Sequence, residues 1–99
     1  MYIIVTSKPE EYTAEPGTGI SAVETWNYLF YGRVRSVFTI GEVTAEDARV
    51  KIVDADDPGC VNWVPAKFFG DFDDLAAARA ELEDLTRFGA IDARLERVA

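Results

Sequence analysis

The chain contains no histidine and only one cysteine, Cys60, among its 99 residues. Without histidine it lacks the side chain that most often serves as a general base near neutral pH, and also the commonest zinc ligand. Ser-His and Cys-His nucleophile pairs are therefore excluded within this chain. One thiol forms neither an internal disulfide nor a multi-cysteine metal site. Cys60 reads as a small buried apolar residue beside Val61, because a reactive thiol needs an activating base and Lys67 is the nearest in sequence. Long apolar runs are missing too. No stretch approaches the roughly 18 residues of a membrane span, and Met1 leads into Tyr2-Ile3-Ile4-Val5 without a basic leader. A reducing, cytoplasmic setting without a membrane partner is the expectation.

Positive charge is scarce. Ten Lys and Arg stand against 18 Asp and Glu, for a net charge of -8, and most of the excess lies after residue 53. Such a field repels phosphate backbones, since nucleic-acid affinity depends on cations that displace condensed counterions, so direct nucleic-acid binding is not expected. Nucleotide-binding loops are absent as well: Gly17-Thr18-Gly19 has no third glycine after a strand, and no Gly-Lys-Ser/Thr occurs. Asp54, Asp56, Asp57 and Gly59 imitate the first half of a calcium loop, but Pro58 takes the fifth place and Pro65 the twelfth, where bidentate glutamate is required. A solvated Asx turn explains these residues. No catalytic residue, metal site or cofactor is assigned.

Tyr2 to Thr6, apolar on both faces, reads as a central strand, and the Pro- and Glu-containing stretch 7–20 as a mobile connection. Ser21-Ala22-Val23-Glu24 matches the capping box and predicts a short helix near 21–27. From Asn27 to Val43 strand formers dominate, with Gly32 placed for a type II′ hairpin turn. That turn would put Leu29, Tyr31, Val34, Phe38 and Ile40 on one face, and Tyr28, Phe30, Arg35, Val37 and Thr39 on the other. Val50 and Ile52 alternate with Arg49 and Lys51 in a half-buried strand. An acidic loop region follows over 54–71, in which Pro65 ends a short apolar run or turns it into an edge. Leu75, Ala78, Leu82 and Leu85 share a stripe that predicts a long helix over about 73–88, with Asp73 as N-cap and Gly89 closing it. A last strand alternates Ile91, Ala93 and Leu95 with charged residues. The order predicts a single α+β domain over 1–99: an antiparallel or mixed sheet of four or five strands with helices on one face, ferredoxin-like in its βαββαβ order.

Large rings are the unusual positive feature. Trp26, Tyr28, Phe30, Tyr31, Phe38, Trp63, Phe68, Phe69 and Phe72 are more than one modest helix covers if the hairpin presents them on both faces. The reading is therefore a non-catalytic interaction module, an accessory or regulatory subunit of a larger enzyme or assembly, or a self-associating protein. Its contact face would be Trp26, Tyr28, Phe30, Arg35 and Val37, with Asp56, Asp57, Asp71 and Asp74 steering a basic partner. One alternative is a dimeric α+β barrel-like protein, a small-molecule binder or cofactor-independent enzyme with an aromatic pocket holding Asn27, Trp63 and Arg35. Another is an acidic mimic of nucleic acid that occupies a basic nucleic-acid-binding protein.

Overall fold

A computed structural model of the chain describes residues 1–86 and 93–98. The first element is strand β1 (Tyr2–Ser7), followed by β2 (Tyr12–Pro16), β3 (Ile20–Phe30), β4 (Arg33–Val43), β5 (Arg49–Asp54) and β6 (Val61–Pro65). A 3-10 turn (Ala66–Phe69), helix α1 (Leu75–Leu85) and strand β7 (Ala93–Arg97) complete the described elements. The strands form two antiparallel sheets, one ordered β1-β4-β3-β7 and the other β2-β5-β6.

This architecture corrects the ferredoxin-like expectation of one sheet with a long helix. Its frame is a single long ribbon. β3 and β4 pair from Phe30↔Arg33 to Ile20↔Val43, and the same two arms pair again as β2 and β5 from Pro16↔Val50 to Tyr12↔Asp54. Between these stretches the ribbon folds over, held by Thr44 N donating to Gly19 O at 2.8 Å and Gly17 N donating to Arg49 O at 3.0 Å. Glycine is required at this fold. Gly19 has φ of 80° and a Cβ there would lie 3.0 Å from the Ala45 Cβ, while at Gly17 it would lie 2.4 Å from the Arg49 carbonyl oxygen. Gly17-Thr18-Gly19 is thus a bend that turns one sheet into the other, and 7–20, read as a connection, contains β2.

The hairpin at Gly32 forms, but Tyr31 and Gly32 both have positive φ, 50° and 78°, which is the type I′ geometry rather than II′. Two bulges then reset the faces. Glu24 rather than Val23 stands opposite Ile40, and Leu29 stands opposite Val34 while Tyr28 stands opposite Ser36, so that Arg35 has no opposite number. Trp26 and Tyr28 consequently share a face with Phe38 and Ile40, not with Val37 and Thr39.

No helix forms over 21–27. Ser21 and Glu24 lie in β3, where the β-branched and aromatic residues after Glu24 pair along the whole of β4; the capping-box spacing is coincidental. The predicted helix over 73–88 shrinks to α1. Asp74, not Asp73, is its N-cap, accepting the Ala77 N–H at 2.7 Å, and Thr86 closes it, its hydroxyl donating to the Leu82 carbonyl at 2.9 Å. Gly89 and Ile91, used for the predicted helix end and last strand, lie outside the described residues.

Two apolar clusters sit on opposite faces of the four-stranded sheet. α1 covers one, placing Ala78 and Leu82 against Ile4, Phe38 and Ile40 with Trp26, Tyr28 and Leu95 at the margin. The three-stranded sheet covers the other, placing Ala14 and Val50 against Ile3 and Val5. β1 is therefore buried on both faces although it is last in its sheet. Its free edge is closed by Phe72, which exchanges backbone bonds with Tyr2 at 2.8 and 2.9 Å, and by Ser7, whose hydroxyl bonds the Ala14 backbone.

Candidate functional site: the strand edge around Trp63

The outer strand of the small sheet carries one of the exposed rings, Trp63; Tyr31, at the hairpin of the large sheet, is another. Along β6 and the Cys60 before it, the backbone groups of residues 60, 62 and 64 face β5, as Asp54 N donating to Cys60 O and Ala66 N donating to Ala48 O establish, and Cys60 is exposed rather than buried as the sequence suggested. The backbone groups of Val61 and Trp63 therefore point outward, with no strand beside them among the described residues. Val61 and Trp63 also present their side chains to the outer face, with Trp63 52 % exposed. Phe68, on the 3-10 turn that follows, is 70 % exposed. From Cys60 to Pro65 the edge carries no charge. That is an unusual edge, since soluble proteins generally protect edge strands with charge.

The Trp63 ring is exposed yet seated. A Cβ at Gly17 would come within 2.9 Å of the ring's Cζ3, so the bare glycine at the ribbon's bend is the floor on which the indole rests. Lys51, its cross-strand neighbour, places its ammonium 6.0 Å from the ring centroid. The acidic turn 54–59 stands at one end of this edge. Asp54 Oδ1 accepts the N–H groups of Asp56 and Asp57 at 2.8 and 3.1 Å, and Asp57 Oδ1 accepts that of Gly59 at 3.2 Å. The turn is thus self-supporting as an Asx turn, and both Asp56 and Asp57 stay exposed. No group of three acidic or cysteine side chains among the described residues is arranged to hold a metal ion.

The structure disperses the residues proposed from sequence. Trp26 and Tyr28 face α1, Val37 lies on the reverse of the sheet opposite Asn27, and Phe30 packs edge-on to Tyr31 with Arg35 stacked 5.4 Å from its ring centroid. Asp74 caps α1, and Asp71 is exposed just before it. Asn27 is half-buried on the large sheet, whereas Trp63 is exposed on the outer face of the small one and Arg35 is exposed at its bulge, so these three do not surround one pocket.

Sequence reasoning missed an ion pair between a buried Glu24 and an exposed Arg79. Glu24, 2 % exposed, receives two hydrogen bonds from the Arg79 guanidinium and one at 2.9 Å from the Trp26 indole N–H, while Arg97 approaches to 3.9 Å. The Arg79 hydrogen bond holds the Glu24 carboxyl below the usual carboxylate range against the opposing effect of burial. This constellation ties α1 to β3. Its members are spent on one another, so it explains the position of Trp26 without making a reactive site.

Among the described residues the structure defines a mostly β arrangement of two sheets with one α-helix. Compared with known proteins, the chain matches no family model, no curated protein and no solved structure. No helix among the described residues is long and apolar enough to cross a membrane.

Proposed function

We propose that this chain is a non-catalytic protein-interaction module, an accessory subunit that docks an extended segment of a larger enzyme or assembly against β6. The observation that carries this reading is Trp63, a ring half in solvent but fixed by Gly17 and Lys51 on an uncharged edge. A seated ring loses little entropy when covered, which is the property of an interface anchor. The outward backbone groups of Val61 and Trp63 supply the hydrogen bonds of strand addition. Asp56 and Asp57, exposed beside the edge, favour a basic segment in that position. Phe68 extends the apolar area beyond the strand. A cytoplasmic location belongs to this proposal and is supported by an exposed, unpaired Cys60, which persists as a thiol in a reducing compartment.

Affinity capture from the native cell with the intact chain, run beside Trp63→Ser and Val61→Asp, tests the reading. The expected result is a partner retained by the native chain and lost by both variants, with Asp56→Asn/Asp57→Asn weakening capture in a salt-sensitive manner. Capture that survives both edge substitutions would overturn it.

A further inference from the structure

Strand β6 lies between charges of opposite sign. Asp54, Asp56 and Asp57 precede it, Lys67 follows it, and the edge between them is uncharged. Lys67 is exposed and forms no ion pair among the described residues; its ammonium stands 5.8 Å from the Phe68 ring centroid. The residues that flank β6 in the chain, 54–60 and 66–72, are all described, and the outward backbone groups of Val61 and Trp63 meet none of them. α1 and β7, which precede and follow residues 87–92, belong to the large sheet, α1 on the face away from the small one.

We infer that β6 pairs antiparallel with β6 of a second copy, in a register centred on Asn62. Val61 of each copy then stands opposite Trp63 of the other, and both pairs exchange both of their hydrogen bonds, because these are the residues whose backbone groups point outward. A register centred on Trp63 is poorer: it sets Val61 against Pro65, which has no N–H to return, and leaves the Val61 carbonyl unpaired. With Asn62 at the axis, the two Asn62 side chains meet in the non-hydrogen-bonded position, where side chains approach most closely. An amide is both donor and acceptor, so it complements itself. On the outer face Val61, 38 % exposed, comes beside the Trp63 ring of the second copy. Reversal also carries the acidic turn of each copy to the end where Lys67 of the other stands, so opposite charges meet twice, as a two-fold axis requires. Two three-stranded sheets become one of six strands, and neither uncharged edge stays open. Each copy carries a net charge of -8, but at physiological salt repulsion between distant charges is screened beyond about 8 Å, whereas paired strands lie only about 4.8 Å apart. The inference rests on the reading of β6 as a docking edge and adds its regulation: the dimer hides Val61 and Trp63, so a larger partner engages the single chain in competition with a second copy.

Sedimentation equilibrium of the intact chain at physiological salt, from micromolar to millimolar concentration, tests it. The native chain should approach twice its mass of 11.0 kDa. Val61→Pro removes an outward N–H and no bond to β5, so it deletes two of the four hydrogen bonds across the axis and should raise the dissociation constant about tenfold. Lys67→Glu alone, and Asp56→Lys/Asp57→Lys alone, bring like charges together at both ends and should each raise it by a similar factor, about tenfold. Mixed in equal amounts, these two charge variants again place acid against base at both ends, and they should associate as heterodimers with native strength. Urea midpoints confirm that each variant remains folded. A native chain that stays monomeric throughout, charge variants that self-associate as the native chain does, or a mixture as weak as its components would each overturn the inference. Because mass is read on the chain alone, failure of this inference is distinct from failure of docking, which is read by partner capture.

Discussion

The two tryptophans mark a difference between the two sheets. Trp26, on the large sheet, is half-buried under α1 and gives its indole N–H to a carboxylate that is itself buried. Trp63, on the small sheet, rests one surface on Gly17 and turns the rest to solvent. The β1 and β4 part of the large sheet is enclosed because both of its faces have cover, from α1 on one side and the small sheet on the other. The small sheet has cover on its inner face only. One tryptophan on each sheet is thus covered in one place and left at the surface in the other, according to the number of layers stacked on each strand. Ring count alone does not identify an interface.

The sharpest way to break this comparison is to damage the enclosed side. Leu82 is 2 % exposed between α1 and the large sheet, whereas Leu85, three residues on, is 49 % exposed. Leu82→Ala should cost about 2–5 kcal/mol through lost burial and a residual cavity. Leu85→Ala should cost no more than about 0.5 kcal/mol. Urea denaturation at neutral pH measures both, and equal losses would mean that α1 does not pack on the face described.

Next in size is the ion pair that buried Glu24 makes with exposed Arg79. Glu24→Gln leaves the Arg79 guanidinium facing an amide and should destabilise by about 1–3 kcal/mol at pH 7. The folded-state pKa of Glu24 is lowered, so its contribution is complete above the ordinary value of 4.5 and is lost as pH falls through the lower folded value. The native chain should therefore lose stability below about pH 4.5, and Glu24→Gln should show a shallower loss over the same range. Parallel acid titrations of the urea midpoint would sink this account if the two slopes were equal.

How much of this was legible in the sequence depends on the range of the interaction. β1, the hairpin at Gly32 and the alternation of Val50 and Ile52 were readable, because each depends on neighbours two to four residues apart. Pro65 correctly signalled an edge. The capping box misled, since Ser21 and Glu24 satisfy its spacing while Glu24 answers to Arg79, 55 residues away. Its true role has no local signature. β1 looked central because apolar alternation on both faces reports what lies above and below a strand, not what lies beside it. The face assignment failed for a related reason: the Arg35 bulge inverts parity by one residue and leaves no mark in composition. Trp63 was noticed as a candidate but placed in a pocket, because its seat is Gly17, which comes near only when the ribbon folds over.

Glycine substitutions probe that fold of the ribbon with intermediate effects. Gly19→Ala meets both a positive φ and contacts at 3.0–3.1 Å with Ala45 and Ala48, and should cost about 2 kcal/mol. Gly32→Ala has the same sign of φ but open space around it, so only the backbone term applies, about 1 kcal/mol. A larger loss at Gly32 than at Gly19 would argue against the bend as the tighter site.

The smallest stability effect is the most telling for function. Trp63→Ser removes a ring that contacts solvent on one side and glycine on the other, and its Lys51 contact is worth no more than about 0.5–1 kcal/mol at an exposed site. The urea midpoint should therefore move by an amount equivalent to less than about 1 kcal/mol, while partner capture falls away. Trp26→Ser, by contrast, uncovers the α1 cluster and strips the indole bond from Glu24, so it should fall among the larger losses. Measured together, the two substitutions separate a ring that holds the fold from one that the fold holds out. If Trp63→Ser proved as costly as Trp26→Ser, the ring would be a clamp across the ribbon's bend, and β6 would lose its claim to be a docking edge.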